Sequence, residues 1–139
     1  MNFLRLTNVR WLRAIITGAS VVAFSLLVVM VIVAVYAFGL AIQARGSPDQ
    51  HSINQFAAAF SARWLQWIEI LMVFVIGVLQ APKAKGSEVM QGLLIGLFAG
   101  VFGLALSLAF GAHFGLSKIL LIIYGVVAGF VGGLARKTP

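Results

Sequence analysis

Between Arg13 and Arg45 the chain carries no charged residue. That run, "AIITGASVVAFSLLVVMVIVAVYAFGLAIQ", exceeds the roughly 20 apolar residues that carry a helix across about 30 Å of hydrocarbon. A run of that length and composition belongs in a bilayer. Three further apolar stretches follow, and the predicted spans cover about 14–43, 55–80, 89–111 and 117–135. Lipid offers the backbone no hydrogen-bonding partners, so each span has to be a helix or a strand of a closed barrel. The alternating pattern of a barrel strand is missing. The expected fold is therefore all-α: a single polytopic transmembrane domain of four helices in two antiparallel hairpins.

Composition agrees. Hydrophobic residues make up 62% of the chain and charged ones 9%, with a mean hydropathy of +1.08, well above soluble domains. The net charge of +7 raises the question of nucleic acid. The basic residues sit at the ends of apolar runs, however, rather than on one polar face interleaved with aromatics. They read as membrane anchors, and nucleic acid is not an expected partner.

Arg5, Arg10, Arg13, Lys83, Lys85, Arg136 and Lys137 would fall on one side of the bilayer, against Arg45, Arg63 and Lys118 on the other. The excess of lysine and arginine in short loops marks the cytoplasmic face, which places both termini in the cytoplasm, in a prokaryotic cytoplasmic membrane. Anionic lipids are the expected partners of that face. The start, "MNFLRLTNVRWLRAII", has the basic flank of a signal peptide. The apolar run behind it is far longer than the roughly 7–15 residues of a cleavable one, so an uncleaved first span is expected.

The joints carry helix punctuation. "ARGSPDQHSINQF" offers two overlapping starts for the second helix, Ser47 with Gln50 three on or Ser52 with Gln55 three on, both at capping-box spacing. In "APKAKGSE", Pro82 ends one span, and Ser87 with Glu88 opens the next.

The third span repeats small residues. Gly92, Gly96, Gly100, Gly103, Ser107 and Gly111 lie within an arc of about 100° on a helix. In the fourth, Gly125, Gly129, Gly132 and Gly133 share one side. Glycine faces let transmembrane backbones approach closely. With a turn near Phe114, Gly96 would stand level with Gly132, Gly100 with Gly129 and Gly103 with Gly125. The same faces also suit a second copy of the chain or a larger membrane complex.

One carboxylate interrupts the second span, Glu69 in "QWIEILMVF". An ionised acid at that depth costs at least a few kcal/mol, so the residue should be protonated or paired and turned toward protein. Gln66, three residues earlier, is the nearest hydrogen-bonding candidate. Lys118 and His113 reach it only if spans two and four are neighbours. Arg63 lies on another side of the helix and is expected to stack on Trp67 or extend outward.

Enzyme chemistry finds no foothold. Three acidic residues, two histidines and no cysteine form neither a nucleophile with base and orienting acid nor a carboxylate pair. His51 and His113 lack a second ligand at helical spacing, so no metal or other cofactor is expected. The glycines of "GLLIGLFAGVFG" lie inside a span and not at a polar helix start, which excludes a phosphate loop. The function these features favour is a non-catalytic accessory or structural subunit that assembles through its glycine-rich faces. The alternative is a small oligomeric channel, or a proton- or cation-coupled transporter that uses Glu69.

Overall fold

Apolar run length becomes helix length. The computed structural model describes residues 10–80, 87–111 and 115–135, and its helices are α1 (Trp11–Ala44), α2 (Gln50–Gln80), α3 (Glu88–Ala109) and α4 (Leu116–Ala135). No strand occurs among the described residues. All four helices are long and apolar enough to cross a membrane.

Asp49 decides where α2 begins. Its Oδ1 accepts from the His51 amide at 3.1 Å, and its Oδ2 accepts from the Ser52 amide at 3.2 Å and the Ser52 hydroxyl at 2.7 Å. Neither start expected from the serines is used. A carboxylate at the positive end of a helix accepts more strongly than a serine hydroxyl, and Ser52 becomes a donor to it. At the other side of this joint, Arg45 closes α1 in a left-handed conformation (φ 48°), its amide donating to the Ile42 carbonyl.

α3 lies against α4 along most of its length. Gly92 approaches the Gly129 carbonyl, Gly96 approaches that of Gly125, and a Cβ added at Gly100 would meet Ile122 Cα at 3.0 Å. Where α3 begins, a Cβ on Gly133 would stand 2.8 Å from the Glu88 carbonyl. The pairing differs from the expected one: Gly96 faces Gly125 and not Gly132, seven positions away. Seven residues is two helical turns, and a small-residue stripe looks nearly the same after that slide. The end of α3 breaks the tie. The chain leaves the helix at Gly111, φ +80°, whose amide donates to the Leu108 carbonyl at 3.0 Å. The left-handed conformation that glycine tolerates best stops the helix there, so the return begins before the predicted turn at Phe114, which is outside the described residues.

α1 and α2 pack onto this pair through small residues the sequence had not singled out. A Cβ on Gly18 of α1 would lie 2.7 Å from Phe98 Cβ, and one on Gly77 of α2 would touch the Gly129 carbonyl and Gly132 Cα at 3.5 Å. Ala14, Val21, Val73, Leu94, Ile95 and Ala99 form the core between the helices. Gln91, 1% exposed, ties the start of α1 to the start of α3 by accepting from the Arg10 amide at 3.2 Å.

The four helices are unequal. With 34 and 22 residues, α1 and α3 measure about 51 and 33 Å at about 1.5 Å per residue. Tyr36 of α1 stacks on Phe56 of α2 with ring centroids 3.9 Å apart, and Phe60 and Trp64 continue the aromatic row along α2.

Candidate functional site

All four helices line one cavity of about 500 Å³. α1 contributes Val22, Ser25 and Leu26, α2 Ser61, Leu65, Gln66 and Glu69, α3 Gly103, Leu104, Leu106 and Ser107, and α4 Lys118 and Leu121. The cavity exists because the stripe on α3 changes task along its length. From Gly92 to Gly100 its glycines are filled by the backbone of α4. At Gly103 the neighbour is instead the Glu69 side chain: an added Cβ would sit 2.7 Å from Oε1, 3.2 Å from Oε2 and 3.3 Å from Cδ. Gly103 is therefore the seat of the carboxyl group and not a partner of Gly125.

Glu69 is 7% exposed, and its buried Oε1 has no hydrogen-bond partner. Most buried polar groups are satisfied, and each exception, here Glu69 Oε1 and Gln80 Oε1, costs about 1–3 kcal/mol. Gln66, the expected partner, lines the same cavity but is exposed and makes no hydrogen bond to Oε1. The slot left by Gly103 draws the carboxyl inward, away from the turn that carries Gln66.

Lys118 enters the cavity from α4, which packs beside α2. Its ammonium donates to Ser107 Oγ at 2.7 Å. Ser107 thus holds Lys118 and does not pack a helix, the second departure in the C-terminal half of the stripe. Arg63 takes no part: its guanidinium stands 6.0 Å from the Trp64 ring, its immediate neighbour, and not over Trp67. His113 lies outside the described residues. Gly111 has nothing within 4 Å of an added Cβ, which leaves it a turn residue. The remaining serines are self-satisfied along their helices: Ser25 Oγ donates to the Val21 carbonyl at 2.9 Å and Ser61 Oγ to that of Ala57 at 2.7 Å.

Chemically the cavity offers one acceptor in need of a donor, one ammonium with donors to spare, and apolar walls. No group of three or more histidine, cysteine or acidic residues that could hold a metal occurs among the described residues. Glu69, Gln66 and Lys118, singled out from the sequence, all line this cavity. Sequence reasoning missed the seat at Gly103 and the lysine's anchor at Ser107, because both depend on the helix register. No family model, curated protein or solved structure matches the chain, so the reading of the site rests on its own geometry.

Proposed function

We propose that the chain is a small non-catalytic membrane protein of the transport class, with Glu69 as the intramembrane group that takes up a proton, a cation or the cationic group of a solute. One observation carries this reading: Glu69 lines a cavity of about 500 Å³ and one oxygen of its carboxyl is buried without a partner. Acidic residues inside membranes are expensive to keep, and they mark ion and substrate pathways. In this reading the four helices form two antiparallel hairpins, both termini are cytoplasmic, and the inner face rests on anionic lipid in a prokaryotic cytoplasmic membrane. Reconstituted vesicles loaded with a pH-sensitive or a sodium-sensitive dye test the function. Under an imposed potential, protein-dependent proton or sodium uptake should fall to the empty-vesicle rate in Glu69→Gln. Uptake that is unchanged at every pH contradicts the proposal.

A second reading, an accessory subunit of a homo-oligomer or larger complex, draws on a different observation. α1 exceeds α3 by 12 residues, and its outer part exposes Val35, Phe38 and Ile42. The inner glycines of α3 and α4 are filled within the chain, so assembly would use this overhang and not the glycine faces. Native mass spectrometry after gentle solubilisation checks it: a monomer without stable partners counts against the subunit role.

A further inference from the structure

Resting on the transport reading, we propose that the cavity takes a small zwitterion with an apolar body, its ammonium on Glu69 and its anionic group on Lys118. The argument begins with what each charged group still lacks. Glu69 Oε1 is buried and accepts nothing. The Lys118 ammonium has three donors and commits one to Ser107 Oγ at 2.7 Å. Both groups line the same cavity, so the site presents one acceptor needing a donor and one donor group needing an acceptor.

Charge decides among ligands. A simple cation would satisfy Glu69 but add a second positive charge to the space that Lys118 already faces, and a simple anion would do the reverse beside Glu69. Away from water such like-charge pairs are costly. A zwitterion adds no net charge and serves both ends at once. Volume and lining narrow the class further. About 500 Å³ lies within the roughly 300–1,000 Å³ of small-molecule sites. The walls include Val22, Leu26, Leu65 and Leu121, which suit an aliphatic body. Two sources carry this chemistry, a free amino acid and the headgroup of an ethanolamine phospholipid.

Three probes sharing one aliphatic body separate the possibilities: leucine, isoamylamine (which lacks the carboxylate) and 4-methylpentanoate (which lacks the ammonium). Binding is measured by titration calorimetry on the full chain in nanodiscs of phosphatidylglycerol alone or with added phosphatidylethanolamine. Leucine should bind at least tenfold tighter than either single-charge probe in the ethanolamine-free discs. Glu69→Gln should abolish its advantage over 4-methylpentanoate, and Lys118→Gln its advantage over isoamylamine. If the lipid is the occupant, phosphatidylethanolamine should be retained in native mass spectra, displace leucine, and be lost in both variants.

Isoamylamine binding as tightly as leucine overturns the zwitterion while leaving Glu69 a cation site. If neither leucine nor phosphatidylethanolamine binds but Glu69-dependent uptake persists, the ligand class is wrong and the transport reading stands. Failure of binding and of uptake together removes both. The probe comparison needs no variant, so the proposal can fail even where a substitution prevents folding.

Discussion

Glu69 separates a working residue from a structural one through the sign of a stability change. Its Oε1 is buried without a partner, and a group in that state opposes folding by about 1–3 kcal/mol. Glu69→Met, similar in length and apolar, should therefore raise the melting temperature in detergent while removing uptake. A lower melting temperature would make Glu69 a structural contact. Asp49 shows the opposite case. The Ser52 hydroxyl and the amides of His51 and Ser52 donate to its carboxylate and hold its pKa below the ordinary 3.8. A depressed value means that the stabilisation is complete above the unfolded-state pKa and disappears as pH falls through the folded one. Protection of the His51 and Ser52 amides from exchange, relative to the intrinsic rate at each pH, should thus fall below about pH 3.8, and in Asp49→Ala at any pH. Equal protection in wild type and variant would contradict the cap. Glu69 was legible in the sequence because a carboxylate in an apolar run stands out. Its seat at Gly103 was not, since a glycine's partner depends on which helix faces it.

Among the helices, close approach is concentrated where α3 meets α4. Gly96 and Gly39 make a matched pair of tests: a Cβ at Gly96 would run into the Gly125 carbonyl, whereas one at Gly39 has nothing within 4 Å. Gly96→Ala should destabilise the bundle by about 1–3 kcal/mol, the usual range for overpacking. Gly39→Ala should leave the melting temperature unchanged or raise it, since alanine favours helix. Equal melting temperatures for the two variants would contradict the contact. The existence of four helices was readable from apolar run length, because the bilayer fixes how many residues a crossing needs. Their register was not. The stripe repeats nearly every turn, so sliding by two turns preserves it, and the left-handed turn at Gly111 chooses between the alternatives. The start of α2 was misjudged for a similar reason: Ser47 and Ser52 had the right spacing, but Asp49 between them is the stronger acceptor.

For the molecule as a whole, two features of composition make the account easy to probe. Cysteine is absent, so single cysteines introduced at Ser47 and Thr138 report topology directly. An impermeant maleimide added outside intact cells should label position 47, and position 138 only after permeabilisation; the reverse pattern would invert the proposed orientation. The chain also has only three acidic residues, so carboxyl modification can be assigned without ambiguity. The most direct test of the central claim, that Glu69 presents a carboxyl to a cavity a small molecule can enter, is therefore labelling with a lipophilic carbodiimide, mapped by mass spectrometry. The account predicts modification at Glu69 that cavity ligands slow and Glu69→Gln eliminates. Label confined to Asp49 and Glu88, with Glu69 untouched, would contradict it.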